Sequence, residues 1–322
     1  MANLVVMVGI PGAGKTTITK QYSKKGYKVH SSDDIRLELF GSNYEDSDNS
    51  TVFNVMRTRV YHDLKRSYDV VYDATNLSRK KRKELVKYFK KVSTNITYHV
   101  VLRDYKELLK YNEQRGFPKN VLRDYIRYFN LPSSYEGYDN IKYTVTNPEN
   151  INYYNKSYYE EKSMVIEFFK NLVKGIISYP VHPFLKDIYK YDQNNPYHTK
   201  QLHLHLEDAF TESLKFKSKE LQVSAALHDI GKKFSAHEND KGYTSFYGHE
   251  NIGAYMLRLL VEKFNLTNEL FLDFDVVIDL ISFHMRLRNA KTVKSKMKLI
   301  KETGEELYPL LCELFVVDVG GK

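Results

Sequence analysis

The sequence predicts an α/β domain, a parallel sheet with flanking helices, followed by an all-α domain. Three observations carry that prediction. Apolar strand-like runs alternate with helical stretches as far as about residue 147, the pattern that crossover connections impose on a parallel sheet. Beyond about residue 160 apolar residues recur at helical spacing, with no convincing strand pattern. Between the two lies "NPENINYYNKSYYEEKS", polar, rich in Asn and Tyr and without apolar periodicity, which reads as a linker near residues 148–160. A chain of 322 residues suits such a pair, since domains usually hold roughly 100–200 residues. The expected division is residues 1–150, a linker and connecting helix over 151–180, and residues 181–322.

The first strand, "LVVMVG", runs into "GIPGAGKT" at residues 9–16, the G-x-x-x-x-G-K-[ST] pattern of a phosphate-binding loop in its strand-then-helix setting. Gly9, Gly12 and Gly14, with Ala13 among them, allow a tight bend that turns N–H groups toward phosphate oxygens, and the next helix adds its positive end. Lys15 is expected to bridge the β- and γ-phosphates of ATP, Thr16 to hold Mg2+ and Thr17 to reach the α-phosphate.

The second strand, "YKVH", is followed by "SSDDIR". Asp33 stands just past the strand's carboxyl end, where open α/β sheets bind ligands, and opens a helix that carries Arg36 one turn later. The carboxylate can take a proton from an attacking hydroxyl while the arginine holds a neighbouring phosphate. The competing reading has Ser32, Asp33 and Asp34 merely capping the helix; it weighs more for Asp34 than for Asp33. The third strand ends in "VVYDATN", where Asp73 can order magnesium or its water, or simply make a strand-end turn. "RKKRK" at residues 79–83 suits a nucleic-acid backbone, although a solvated helix start is the commoner meaning. "ITYHVVL" and "IKYTVTN" complete the sheet. Between them "YNEQRGFPKN" looks like a lid: Gly116 and Pro118 break a basic helical stretch just after Arg115, the expected charge clamp over the phosphates.

In the second half "ALHDIGKK" places His228 and Asp229 side by side at the end of an apolar helix, before Gly231, which permits a helix stop and a turn. "NPYHTKQLHLHLEDAF" offers His205, "YGHENIGAYML" His249, "ISFHMRLR" His284 and "LFVVDVGGK" Asp318. A mixed nitrogen and oxygen set projected from helices can hold a metal and leave positions open for water and a phosphate. His198 and His203 are left out, since a His on a helix face is more often packed or solvated. Cys312 is the only cysteine, which excludes an internal disulfide and a thiolate zinc site, so a metal must use His and carboxylate.

Net charge is +9 with a pI near 9.1, which favours polyanionic partners. The 27 tyrosines and 17 phenylalanines offer stacking surfaces, though most aromatics fill cores. No apolar run approaches the roughly 20 residues that cross a bilayer, and the N-terminus has no basic region or cleavage site, so no membrane and a cytoplasmic location are expected.

The loop, "SSDDIR", "YDATNLS" and "NEQRG" together resemble the 5'-hydroxyl polynucleotide kinases of phages and bacteria, over residues 1 to about 150. That resemblance implies Asp33 as general base, Arg36 on the acceptor's 3' phosphate and Arg115 on ATP. A Ser replaces the residue commonly basic before the aspartates, and Tyr111 replaces a frequent lid arginine. From about residue 180 onward, "QNNPYH", the His205 spacing, "AALHDIGK" and "FYGHENIGA" resemble the HD phosphohydrolase superfamily, specifically the HD domains of bacterial tRNA nucleotidyltransferases. This second resemblance implies His205, His228, Asp229 and Asp318 as ligands of one divalent metal such as Mn2+, Ni2+, Co2+ or Fe2+, with Lys232 near the substrate phosphate. His249 and His284 would hold a second ion or bind phosphate.

The pairing resembles the bifunctional polynucleotide kinase and HD phosphoesterase enzymes that heal RNA ends, with the modules in the opposite order. It implies phosphorylation of 5'-hydroxyl ends of RNA or DNA, tRNA among them, hydrolysis of 2',3'-cyclic or terminal phosphates, and a nucleic-acid ligase as downstream partner. One rival is a small-molecule or nucleoside kinase fused to an HD nucleotidase; another is an ATP-switched RNA-binding protein with a structural metal.

Overall fold

The computed structural model describes residues 2–41, 48–146, 156–177, 179, 183–196 and 200–320. Residues 148–155 of the expected linker, and His198, lie outside these. The chain forms two units, Met1–Tyr125 with Glu136–Pro148, and Ile126–Tyr135 with Glu149–Lys322.

The first unit runs β1 (Ala2–Val8), α1 (Lys15–Lys24), β2 (Lys28–Ser31), α2 (Ser32–Phe40), α3 (Asn49–Lys65), β3 (Val70–Asp73), α4 (Arg79–Phe89), β4 (Ser93–Leu102), α5 (Tyr105–Gln114), α6 (Lys119–Arg127) and β5 (Asn140–Val145). All five strands join one parallel sheet in the order β2-β3-β1-β4-β5. A parallel sheet is covered on both faces, so its inner strands read as continuous apolar runs. Leu4, Val6, Met7 and Val8 of β1, Val70 and Val71 of β3, and Val100 to Leu102 of β4 are accordingly all buried. Ser31, at the end of β2, pairs with Asp73, at the end of β3, while β3 lies beside β1. The carboxyl ends of three neighbouring strands therefore open on one crevice, the place where such sheets bind ligands.

The basic run at 79–83 divides by residue type. Arg82 is fully buried and grips Glu136 with Nε at 2.8 Å and Nη2 at 2.6 Å. Its Nη1 donates to the carbonyls of Asn76 and Leu77, both at 2.9 Å. Arg79 is buried against the same carboxylate, whereas Lys80 and Lys81 are exposed. A desolvated arginine is tolerable only when its donors are matched, as those of Arg82 are. The arginines of this run brace the fold, and Lys80 and Lys81 face solvent.

The second unit holds α7 (Lys156–Val173), α8 (Pro183–Lys186), α9 (Leu202–Ser213), α10 (Lys219–Leu227), α11 (Lys232–Ser235), β6 (His237–Glu238), β7 (Thr244–Ser245), α12 (His249–Phe264), α13 (Phe274–Asn289) and α14 (Val293–Gly320). The antiparallel hairpin of β6 and β7 departs from the all-α expectation; its two-residue strands are too short to leave a period in the sequence. Ala209, Leu221, Ala225, Leu280, Phe283, Leu311, Leu314 and Val317 gather α9, α10, α13 and α14 into one core. Leu307, Leu311 and Leu314 of α14 fall at the helical spacing that puts them on one face. The helix kinks at Gly304, whose φ is 78°.

A strap of chain over residues 126–135 belongs to this helical core. Phe129 and Leu131 are buried, and the Phe129 ring lies 5.7 Å from that of Tyr255. Asn251 donates to the Arg127 carbonyl at 2.6 Å, Asn130 donates to Asn251 at 3.1 Å, and Ser133 donates to buried Asp279 at 2.8 Å. Among the described residues no helix is long and apolar enough to cross a membrane.

Candidate active sites

Five consecutive carbonyls of the phosphate loop are occupied by donors from within the first unit. Lys15 Nζ donates to those of Gly9 at 2.9 Å and Ile10 at 3.1 Å. Asn112 donates to that of Pro11 at 3.2 Å, Arg103 to that of Gly12 at 2.7 Å, and Thr146 to that of Ala13. These bonds hold the loop backbone in one form, and the amides it does not use internally are left for an anion. Gly12 and Gly14 adopt φ of 83° and 100°, a region other residues rarely visit. Gly9 is required for a different reason: a Cβ there would stand 2.7 Å from the Val101 carbonyl. Thr16 and Thr17 are exposed at the head of α1. Arg103, Asn112 and Thr146 escaped sequence reading, because their task is to hold backbone and no loop motif records it.

Ser31, and neither Ser32 nor an aspartate, caps α2: its Oγ accepts the amides of Asp33 at 3.2 Å and Asp34 at 3.4 Å. The capping role once open for Asp33 is thus filled. The Asp33 side chain remains 75% exposed and accepts from Arg36 Nη1 at 2.8 Å. Arg36 is steadied in turn by Asn49 at 2.9 Å. Asn76 donates to the Met7 carbonyl at 2.7 Å, and the amide of Gly9 donates to the Thr75 carbonyl at 3.0 Å, so the "DATN" turn is stitched to the start of the loop.

The charges share one field. Burial lowers Lys15 to about 8, with Asp73 and Asp33 opposing and Arg115 adding to the fall. Burial raises Asp73 to about 6, with Lys15 opposing and Asp33 and Asp34 adding to the rise. Arg115 caps α5 at its C-terminal end and stands over the ring of Tyr111, 5.7 Å away, just before the break at Gly116. Thr16 and Asp73 offer oxygen ligands, the chemistry Mg2+ accepts.

In the second unit α9 supplies His205, the end of α10 His228 and then Asp229, the first residue of α12 His249, α13 His284 and the last turns of α14 Asp318. All six side chains are buried. Their ligand atoms form two trios, His205 with His228 and Asp318, and Asp229 with His249 and His284, each within 4.8 Å. Asp229 faces both: Oδ2 is 3.4 Å from Nε2 of His205 and of His228, while Oδ1 is 3.0 Å from that of His249 and 3.6 Å from that of His284. His249 and His284 thus stand as close to the central carboxylate as His205 and His228.

The donors suit a transition ion. His228, His249 and His284 each turn Nδ1 to a backbone carbonyl, of Ala225 at 3.0 Å, Phe246 at 2.7 Å and Ile281 at 2.7 Å. A carbonyl only accepts, so Nδ1 carries the hydrogen and Nε2, in the neutral ring, presents a lone pair to the cluster. Burial opposes charge on His228, but Asp229 and Asp318 outweigh it and hold that ring up at about 10. A proton there does what a dication would do, so metal binding must displace it. Lys232 is buried, with Nζ 2.6 Å from Asp229 Oδ2 and 2.9 Å from Gln193 Oε1. Gln193 was not singled out in the sequence, nor was Arg288, whose Nη2 lies 3.9 Å from Asp318 Oδ2. His203 accepts from the Lys190 amide and packs on Tyr189.

Gly231 corrects its expected reason. Its φ and ψ are −73° and −12°, open to any residue, so no special turn is needed. A Cβ would instead lie 2.1 Å from the His249 carbonyl and 2.6 Å from the Gly253 nitrogen. Glycine is required because α12, which delivers His249, passes too close for a side chain.

Residues 4–132 match the AAA domain family, and residues 197–319 match the HD domain family. The L-seryl-tRNA(Sec) kinase of Methanococcus maripaludis is 27% identical over an alignment of 164 residues that covers 47% of this chain and 61% of that protein. The chain therefore spans less than two thirds of that relative. A structure of the Pnkp1/Rnl/Hen1 RNA repair complex overlaps 40% of this chain and 44% of the other at 23% identity and a TM-score of 0.37. A second structure of the Pnkp1/Rnl/Hen1 complex overlaps 34% and 39% at 27% identity and a TM-score of 0.31. Both TM-scores are too low for either overlap to bear on fold or role. The chain joins a P-loop, kinase-like AAA-family domain in its first half to an HD-family domain in its second.

Proposed function

We propose that the protein heals broken nucleic-acid ends, RNA above all, by phosphorylating a 5'-hydroxyl and hydrolysing a 2',3'-cyclic or terminal phosphate at the other end. The observation that carries this reading is Asp33, exposed at the mouth of a triphosphate loop and oriented by Arg36, on a chain that also holds a buried hydrolytic ligand cluster. A nucleotide switch has no use for an exposed, arginine-aimed carboxylate there, whereas transfer to a hydroxyl does. Both chemistries on one chain make sense when a single substrate carries two unsealable ends.

In the kinase step the loop amides and Lys15 hold the ATP phosphates, and Arg115 closes over the γ-phosphate. Asp33 takes the proton of the acceptor hydroxyl as its oxygen bonds to the γ-phosphorus and the bond to the leaving ADP oxygen breaks. Arg36 keeps that carboxylate aimed and contacts the acceptor's neighbouring phosphate. Thr16 and Asp73 would hold Mg2+, whose charge would offset that of the phosphates. In the HD unit His205, His228, Asp229 and Asp318 would hold one divalent ion, and Asp229, His249 and His284 a second. Such ions supply a water of lowered pKa. Lys232, anchored on Asp229 and Gln193, keeps a positive charge beside the phosphate. The products are a 5'-phosphate and a freed 3' end, so a ligase acts next, and the substrates place the protein in the cytoplasm of a bacterial or phage-infected cell.

The relative that phosphorylates a seryl-tRNA favours a second reading, in which the acceptor is a small hydroxyl and the HD unit a nucleotidase. An RNA carrying a 5'-hydroxyl and a 2',3'-cyclic phosphate, given ATP, Mg2+ and Mn2+, separates the two. Wild type is expected to change both ends, Asp33→Ala to spare only the 5' end and Asp229→Ala only the other. Turnover of nucleosides with neither RNA end changed would overturn the end-healing reading.

A further inference from the structure

Between Asp279 and Glu302 the chain has no acidic residue and seven basic ones, Arg286, Arg288, Lys291, Lys294, Lys296, Lys298 and Lys301. Arg286 is matched by Glu302 at 2.6 Å, and Arg288 turns toward Asp318 at 3.9 Å. The five lysines are exposed, and none forms an ion pair with a described residue. In α14 before its kink, Leu299 and Thr303 point into the core. At about 100° per residue, Lys294, Lys298 and Lys301 fall together on the opposite side. Met297 and Val293 lie beside them, 66% and 76% exposed.

A basic run is ordinarily a solvated face, as Lys80 and Lys81 are. This one differs in two respects. Its five lysines meet no carboxylate among the described residues, and it is continuous with the HD cluster: α13 carries His284 one turn before Arg288, and Arg288 reaches Asp318. We infer that the segment docks the sugar-phosphate backbone of the strand whose end the HD cluster processes, an inference that rests on the end-healing reading. Five unpaired ammonium groups gain from a polyanion by releasing its counterions. Lys294 to Lys301 span roughly 10 Å along the helix, so they reach nucleotides beyond the terminal one and are of no use to a mononucleotide. A membrane surface fits less well, because an interfacial helix needs a broad apolar face and this one keeps its main apolar side chain, Leu299, in the core.

The test uses the full chain and a variant with Lys294→Glu, Lys298→Glu and Lys301→Glu. Binding of single-stranded RNA is followed by fluorescence anisotropy across a salt series, and hydrolysis is measured on RNA ends and on 2',3'-cyclic AMP. At about 0.7 per phosphate contact for single strands, the variant's salt slope should fall by about 2. Its KM for RNA ends should rise at least tenfold, while turnover of 2',3'-cyclic AMP stays unchanged and shows that the variant is folded. Wild-type turnover of RNA ends with an unaltered variant would overturn the docking track alone. Failure of wild type on every RNA end would overturn both it and the reading beneath it. Binding of the wild type to phosphatidylserine vesicles, lost in the variant while RNA binding persists, would replace the nucleic acid with a membrane.

Discussion

Replacing Gly231 with alanine sets two effects against each other at the junction of α11 and α12. The backbone there is ordinary, so the change should by itself stabilise by about 0.4–1 kcal/mol, since alanine restricts the unfolded chain. The new Cβ, however, would stand 2.1 Å from the His249 carbonyl and 2.6 Å from the Gly253 nitrogen. Both neighbours are backbone and cannot rotate away, so α12 must retreat by about 1 Å, and overpacking of this kind costs about 1–3 kcal/mol. The net is a loss of roughly 1–2 kcal/mol, or about 2–8 °C in unfolding temperature for a unit of this size. Because His249 is the first residue of the displaced helix, hydrolysis should fall at least tenfold, while ATP-dependent phosphorylation stays near wild type. Calorimetry with both activity assays decides it. A variant as stable as wild type, or more so, with hydrolysis intact would refute the crowding argument and leave backbone entropy as the larger effect.

The depressed Lys15, near 8 in the free protein, predicts a pH-dependent affinity. A bound triphosphate favours the charged amine, so ATP binding takes up a proton above pH 8, and Kd should weaken by up to about tenfold per unit as pH rises beyond that point. Isothermal titration against pH should show this slope, and Lys15→Arg should flatten it. Arg82→Ala takes the closer of two guanidinium groups from buried Glu136, leaving only Arg79 at 3.4 Å, and should cost about 3–5 kcal/mol; the double variant Arg82→Met with Glu136→Gln should cost less, read by urea unfolding. Metal analysis should find two transition ions per full chain. Either His205→Asn or His284→Asn should leave one, and Asp229→Asn should weaken both, with proton release on metal binding that grows as pH falls below the His228 value near 10.

The residues that speak in the sequence are those whose type and spacing answer to chemistry. Lys15 and Asp33 follow strand ends, and His228 with Asp229 closes an apolar helix, so an alternating apolar pattern was enough to locate them. Arg103, Asn112 and Thr146 were silent, because a donor that bonds a loop carbonyl is chosen by position in space, from segments far along the chain. The same blindness affected the charge runs. Two stretches of lysine and arginine look alike as text, yet the arginines of one are met by Glu136 in the core, while the lysines of the other are exposed with no carboxylate beside them among the described residues. Gly231 shows a third limit, since a glycine chosen for closeness and one chosen for conformation are the same letter.

The strap over residues 126–135 makes the two units inseparable by a single cut. A fragment beginning after the polar stretch near residue 150 would lack Phe129 and Leu131 from its own core and leave Asp279 without the Ser133 hydroxyl. A fragment ending there would instead carry those apolar side chains into water. The chain passes from one unit to the other and back before it commits to the second, so a gene that lost either half would lose part of the other. The two units are therefore tied together by the path of the chain itself.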